Sequence, residues 1–462
     1  MTELLTADVV VVGGGSAGCV LAARLSADPA RTVLLIEAGP APATWPPALL
    51  DPHTLPIGAG SEWAHHYSVA LTGQRAGVIA RGRVLGGSGA VNGAYFMRGL
   101  PADFARWGSD LWTYDAVLPY FRALESDHDF ADEYHGGVGP MPVRRQTTEQ
   151  LTRISAEFAD AAVRSGFADV ADKNNPVSDG VGPVPLNVDD RGRVNTALAY
   201  LGERRTNLRI LDRTTAHRLL FAHGAAIGVE VERDGTLATI GADRIVLSAG
   251  AIETPALLLR SGVGDPLASR SLGIPVVHEL TGVGARFWDH PEVNLPYVDA
   301  AQEAVKVPIL QVVLNVDDIE IRPYTAPFGV GVTHMRPEAR GTVRLRSADP
   351  QIPPVVSYNY LATARDRNTM RKAVDVAGAL LAVDIDSTDE WLVDHLGTSQ
   401  HTAGTCRMGP ASEGESVVDD RCRVHGLDGL SIVDASIIPS PISRGIHATV
   451  VMLAERAVEF LG

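Results

Sequence analysis

The chain has 462 residues, 45% of them hydrophobic and 21% charged, with a formal net charge of −15. That balance describes a folded chain of two or three domains and argues against nucleic acid or an anionic membrane surface as a partner. Its three cysteines, Cys19, Cys406 and Cys422, stand at no metal-binding spacing and fit a reducing, cytoplasmic compartment. No signal peptide and no transmembrane segment is expected.

The opening forty residues organise the rest. Asp8 to Val12 is a short, β-branched apolar run and reads as a buried strand. Gly13-Gly14-Gly15-Ser16-Ala17-Gly18 follows, and Cys19 to Leu25 reads as a helix packed on the sheet, with Cys19 in the core. A second apolar run, Thr32 to Ile36, ends in Glu37. In this pattern Gly13 permits a tight turn, Gly15 lets a pyrophosphate approach the backbone, and Gly18 lets the helix sit close to the strand. The N–H groups and positive dipole at the helix start attract the pyrophosphate. Glu37 lies where an acid accepts hydrogen bonds from a ribose. The pattern predicts a dinucleotide site without distinguishing FAD from NAD.

Pro42 to Pro56 reads as a surface loop. Arg81 to Gly93 is so rich in glycine, with Arg81, Arg83, Arg98 and Asn92 within or beside it, that it predicts backbone pressed against a ligand. Residues 101–125 read as a helix. His135 to Pro140 is a turn cluster and a plausible domain boundary. Thr147 to Ser165 is an amphipathic helix, and Asn174 to Val188 is loop-like. Alternation over Asn207 to Glu232 predicts strands. Arg244 to Ala251 is a further buried strand leading into a glycine turn, and Ile252 to Pro255 opens a helix from Ala256 to Arg260. From Pro291 to Asp389 the pattern changes to an antiparallel sheet, with strands at 312–314, 319–321, 329–332 and 342–345, and a helix over 365–383. Strand and helix return at Leu430 to Asp434 and Ala448 to Phe460.

Two C-terminal stretches carry chemistry. His401 sits in a loop of small residues, where its ring can face a ligand, and its pKa suits proton transfer near neutrality. His447 precedes the final helix, and the two histidines could meet at one site. A zinc pair would lack further ligands at useful spacing, so no metal is expected. Asp434 ends a strand, as a ribityl-binding acid or as a turn cap. Arg407 could hold a carboxylate or pair on the surface.

These motifs together resemble the glucose-methanol-choline (GMC) oxidoreductase family over nearly the whole chain. Gly13 to Gly18 with Glu37 matches the family's N-terminal FAD site. Arg83 to Ser88 through Asn92 resembles its first signature, and Ser248 to Pro255 its second. His401 to Gly409 resembles the loop bearing the catalytic histidine, and His447 falls where the family has its second His or Asn. The resemblance implies an α/β fold: a Rossmann-like FAD-binding domain, discontinuous over 1–140, 190–290 and 395–462, and an inserted antiparallel-sheet-plus-helices substrate domain over 141–189 and 291–394. It implies FAD contacts from Gly13, Gly15, Ser16, Ala17, Gly18, Glu37, Ala38, Arg83, Leu85, Gly86, Gly87, Ser88, Asn92, Gly93, Ala94, Ala216, Ala249, Gly250, Asp434, Ala435, His447 and Ala448. The expected reaction oxidises an alcohol to a carbonyl, with His401 taking the hydroxyl proton, hydride passing to flavin N5 and His447 stabilising the oxygen. The electron acceptor, oxygen or another molecule, stays open.

Departures from the family pattern shape the expectation. Val91 stands where members with covalent flavin carry histidine, which implies noncovalent FAD. His447-Ala448-Thr449 replaces the frequent Asn-Ala-Pro. The small Ser88-Gly89-Ala90 run and the short chain imply a roomy pocket for a bulky alcohol or a reduced carrier cofactor. Short actinobacterial members associated with the redox peptide mycofactocin have this look. Some family members are hydroxynitrile lyases with a non-redox flavin, the alternative function.

Overall fold

The computed structural model describes residues 5–202, 205–296, 306–325 and 329–461. The first strand, Leu5–Val12, lies inside a seven-stranded sheet. Its last four residues, all valine or buried equally, are covered on both faces, which suits the β-branched run. It pairs in parallel with Val33–Ile36 on one side and Thr236–Leu247 on the other. Leu208–Leu211 extends the sheet past Val33–Ile36, and Leu430–Ile432 pairs in parallel with the end of Thr236–Leu247. Thr214–Ala222 and Ala225–Arg233 complete it as antiparallel strands. The register sets Val12 opposite both Ile36 and Leu247. These parallel strands therefore end level, and Gly13, Glu37 and Ser248 emerge along one edge, where such sheets bind ligands. Helices Ser16–Leu25 and His447–Leu461 pack on each other and share one core with the sheet.

A second sheet has six strands, antiparallel throughout. Its order is Leu396–Thr398, Pro291–Leu295, Val330–His334, Ile319–Pro323, Val312–Val316 and Gly180–Pro183. Side chains alternate between its faces. Val293, Leu295, Ile319, Ile321, Val330 and Val332 join the apolar core with helices Arg153–Arg164 and Ala364–Leu381. Glu292, Asn294, Glu320 and Arg322 therefore point the other way. A four-stranded sheet, ordered Thr342–Arg344, Val355–Ser357, Ala64–Ala70 and Ala76–Gly82, stands beside them.

Several local expectations are corrected. Thr342–Arg344 leaves the antiparallel sheet to pair with Val355–Ser357, because apolar alternation does not name a strand's partner. Gly180–Pro183, expected as loop, is an edge strand against Val312–Val316. Its glycines answer a close crossing: a Cβ on Gly182 would lie 1.9 Å from the Val170 carbonyl. The helix expected over 101–125 divides into Pro101–Ala105, a 3₁₀ turn Asp110–Trp112, and Tyr114–Leu124. Gly108, at φ 69°, stops the first piece, and Thr113 caps the last by accepting the Ala116 N–H. The proline-rich loop contains one helical turn, Pro47–Leu50. The helix expected from Ala256 begins at Gly250.

The turn cluster at His135 to Pro140 lies between two paired strands, Glu125–Asp127 and Met141–Val143. His135 itself is buried, with Nδ1 3.0 Å from Asp127 and Nε2 3.0 Å from Asp172. Arg98 pairs with Glu125, and Arg145 bridges Asp127 and Asp172. Glu125, Asp127 and His135 are close enough together to hold a metal ion. Arg98, Arg145 and a charged His135 together balance Glu125, Asp127 and Asp172, so the cluster reads as an internal ion-pair network.

Candidate functional site

The glycine turn is built by close approach. Gly13 has φ 103°, and a Cβ there would lie 2.5 Å from the Ser248 carbonyl. A Cβ on Gly18 would lie 1.8 Å from the Gly13 carbonyl, so only glycine lets the first helix seat on the first strand. Gly15, the N-cap, offers no side-chain cap, which leaves the helix's first N–H groups unclaimed by side chains. A Cβ on Gly15 would meet only ordinary van der Waals contacts, the nearest 3.8 Å away at Gly87. Glu37 accepts the Gly14 N–H at 2.8 Å and the Gly39 N–H at 2.7 Å. Burial pushes its carboxyl up to about 7, against the pull of those N–H groups and of Arg83. A cavity of about 870 Å³ runs from this turn toward the second sheet. That is at the upper end for small-molecule sites.

Most residues expected at the cofactor line this one cavity. Gly13, Gly15, Ser16, Ala17, Glu37 and Ala38 line its first end, with Arg83 and Ala216 nearby in its wall. Gly87, Ser88, Asn92 and Gly93 come from the glycine-rich loop, and Ala249, Gly250, Asp434 and Ala435 from the two later strand ends. Both histidines, His401 and His447, line it too.

Five expected residues stand behind the wall. Gly18 packs on Gly13, and Leu85 packs over Gly14. Gly86 donates its N–H to the Gly14 carbonyl at 2.7 Å, tying the loop to the turn. Ala94 is buried among Tyr95, Val184 and Ile309, and Ala448 faces the core of the main sheet. All but Leu85 have an immediate neighbour in sequence that lines the cavity: Ala17, Gly87, Gly93 and His447.

Asp434 has both carboxylate oxygens engaged. One accepts the Ser436 N–H at 2.7 Å, and the other accepts the Gly250 N–H at 2.8 Å and the Thr254 hydroxyl at 2.6 Å. It therefore joins two strand ends and caps the helix Gly250–Arg260, while burial raises its pKa. Arg407 pairs with the exposed Glu413, the surface role.

The histidines have defined chemistry. The Asn92 amide oxygen accepts the Ala94 N–H at 2.9 Å, so its amide nitrogen faces Nδ1 of His447 at 3.2 Å. Nδ1 must then accept, and the neutral ring carries its proton on Nε2. That nitrogen is buried and has no hydrogen-bond partner among the described residues. Burial lowers the ring to about 4, keeping it neutral. His401 sits on a bulge. Between the pairings Trp288↔Ala403 and Pro291↔Thr398, the first segment has two residues and the second has four, Ser399 to Thr402. Gln400 makes the turn at φ 60°, its side-chain oxygen accepting the Ala80 N–H and Arg81. Asp289 holds the bulge from the other side, accepting the His401 N–H at 2.9 Å and the Thr402 hydroxyl at 2.7 Å. His401 Nδ1 lies 2.9 Å from His290 Nδ1. Burial, then His290, Arg322 and Arg81, hold His401 well below the ordinary histidine value.

The second sheet supplies a wall that sequence reading missed. Glu292, Asn294, Arg322 and Tyr324 line the cavity. Arg322 pairs with Glu292 and Glu320 and also donates to Ser399 at 2.9 Å. Tyr95 donates to Glu320 at 2.6 Å. The signal was present as polar residues at every second position of Glu292 to Leu295 and Ile319 to Arg322, but that alternation also describes a solvated face.

The donor set fits FAD: a helix start free of side-chain caps for the pyrophosphate, a buried acid at the ribose position, and an unpartnered His447 Nε2 at the far end. Val91 offers no atom for covalent attachment.

Comparison with known proteins agrees. The N-terminal model of the GMC oxidoreductase family matches residues 7–292, and its C-terminal model matches 337–454. An uncharacterised GMC-type oxidoreductase from Rhodococcus erythropolis is 48% identical, covering 100% of this chain and 99% of that protein. An oxygen-dependent choline dehydrogenase from Staphylococcus saprophyticus is 32% identical, covering 98% and 94%. The crystal structure of a pyridoxine 4-oxidase from Mesorbium loti superposes with a TM-score of 0.93 at 30% identity, covering 98% of each chain. With the family models spanning both halves and relatives aligned end to end, the chain belongs to the GMC oxidoreductases and is an FAD-dependent enzyme that oxidises alcohols.

Proposed function

We propose that this enzyme oxidises an uncharged or cationic alcohol to a carbonyl, with His401 as the base and His447 as a hydrogen-bond donor to the reacting oxygen. The observation that carries the reading is the complementary state of the two rings in one cavity. His447 presents Nε2–H, fixed by Asn92 at its other nitrogen. His401 is neutral and meets His290 at Nδ1, so with its proton on that nitrogen its Nε2 is free to accept. Bound FAD supplies the two-electron acceptor for the hydride of the alcohol carbon. His401 removes the hydroxyl proton, which lets the C–H bond release its electron pair. His447 donates to the same oxygen, favouring the charge that develops there over the neutral ground state.

The substrate class follows from the polar wall. Arg322 is balanced by Glu292 and Glu320, so that wall offers no unpaired cation to hold an anionic substrate. Choline and pyridoxine, the substrates named for two relatives, both fit this class.

The test is an anaerobic flavin spectrum before and after adding alcohols, choline and pyridoxine among them, followed by air. Bleaching by an alcohol is the expected result, and the speed of recovery in air separates oxygen from another electron acceptor. An unbleached flavin across the panel, with cyanide released from mandelonitrile, would overturn the reading in favour of a lyase.

A further inference from the structure

We propose that His290 is a positioning residue that selects the tautomer of His401, holding its proton on Nδ1 and leaving Nε2 free to act as the base. The inference rests on the reading of His401 as base and extends it to a residue that does not line the cavity.

His290 is fully buried, one residue after the Asp289 that grips the His401 bulge. The two rings meet nearly at right angles, 83° apart, with Nδ1 to Nδ1 at 2.9 Å. Two neutral imidazoles in this contact share one proton between those atoms. If it belongs to His290, His401 must carry its own proton on Nε2, and that nitrogen can accept nothing from a substrate. If it belongs to His401, Nε2 has a free lone pair. One contact therefore decides whether the ring is a competent base.

The surroundings of His290 favour the competent arrangement. Its Nε2 is buried and makes no hydrogen bond among the described residues, yet the backbone carbonyls of Ile442 and Met335 act on the ring and favour a proton on it. With Nδ1 taken up by His401, Nε2 is the ring nitrogen left to carry that proton. A proton on His290 Nε2 makes Nδ1 an acceptor, and His401 the donor. Burial, then His334 and Arg322, hold His290 near 3, so it remains an uncharged acceptor.

This neutrality matters for the proton transfer. When His401 takes the alcohol proton at Nε2 it becomes an imidazolium, still donating Nδ1–H to His290. A carboxylate at that place would stabilise the cation strongly and raise the basicity of the ring. The charged groups around the pair work the opposite way: Arg322 acts on both rings, Arg81 on His401, and Asp289 spends its oxygens on backbone N–H groups and Thr402. The result is a base that is unprotonated at neutral pH and releases its proton readily after turnover.

Asparagine places an amide oxygen where histidine has Nδ1, so His290→Asn keeps a neutral acceptor. His290→Leu removes it, and His290→Asp makes it anionic. Anaerobic flavin reduction is followed against pH in each FAD-loaded variant, with His401→Ala alongside. We expect His290→Asn to stay within about tenfold of the native rate and His290→Leu to fall by about 10²-fold or more in kcat with little change in KM. His290→Asp should move the acid limb of the profile upward by about one pH unit or more. In protein labelled with ¹⁵N-histidine, the Nδ1–H signal of His401, assigned by its loss in His401→Ala, should persist in His290→Asn and vanish in His290→Leu. Equal rates in the leucine and asparagine variants, or an unmoved acid limb in the aspartate variant, would overturn the tautomer role. If His290→Leu does not load FAD, the asparagine–aspartate comparison decides alone. Unimpaired reduction in His401→Ala would instead overturn the underlying reading of the base.

Discussion

Asn92 and His447, 355 residues apart in the chain, meet through one hydrogen bond of 3.2 Å that assigns the proton of the histidine ring. The Ala94 N–H orients the asparagine amide, and the amide leaves the imidazole proton on Nε2, a buried nitrogen without a hydrogen-bond partner among the described residues. The glycine-rich loop and the last helix are thereby joined in the wall of the cavity.

Removing His447 should cost catalysis more than binding. His447→Ala is expected to slow flavin reduction by about 10²–10³-fold, the range for one lost donor to a developing oxyanion. Asn92→Ala should slow it less, and the double variant should be no worse than His447→Ala. Stopped-flow reduction rates of the three variants check this.

His401→Ala should lower the rate of flavin reduction by about 10²–10⁴-fold, the usual contribution of a positioned base, while flavin content is retained. A normal visible spectrum with slow bleaching is the expected signature.

The pH profile should show an acid limb displaced downward. Protonated His401 cannot act as base, and its pKa lies well below the ordinary 6.5. Reduction rates are therefore expected to be level from neutral pH down past 6.5 and to fall only in more acidic buffer.

Gly18→Ala should abolish FAD binding. The added Cβ would lie 1.8 Å from the Gly13 carbonyl, and both atoms involved are held by a helix and a strand end. The helix must move off the sheet, carrying the N–H groups of its first turn away from the turn glycines. Flavin content of the purified variant measures the effect.

His135→Gln should destabilise the fold by about 3–5 kcal/mol, since it strands buried carboxylates. Burial disfavours the His135 charge, but its bonds to Asp127, Asp172 and Glu125 raise its pKa to about 11. A raised folded value means the stabilisation is complete below the ordinary histidine value and fades as pH approaches 11. Urea unfolding should accordingly show a large gap between native and variant at pH 6 and a smaller one at pH 10.

Much of the cofactor end was legible in the chain because its constraints are local. A strand, a turn that tolerates only glycine at Gly13 and Gly18, a helix and Glu37 follow one another within forty residues, and each leaves its mark on residue type. The later strand ends at Ser248 and Asp434 were read the same way. His401 and His447 were picked out by loop context and by resemblance. Local reading failed where partners are remote: Gly180–Pro183 is a strand only because Val312–Val316 lies beside it, and Thr342–Arg344 pairs outside the sheet its neighbours form.

Residue order alone determined which strand, glycine turn and helix form one end of the cavity, and it singled out His401 and His447, which line it. Only the tertiary structure showed which groups meet those histidines: Asn92 at His447 and His290 at His401, contacts across 355 and 111 residues. It also decided that Arg322 is balanced by two carboxylates, because strand register, set by packing of the opposite apolar face, brings Glu292, Thr333 and Glu320 into one row. Backbone preference acts between near neighbours and is written in their identities; proton position and charge balance depend on groups that meet only after folding.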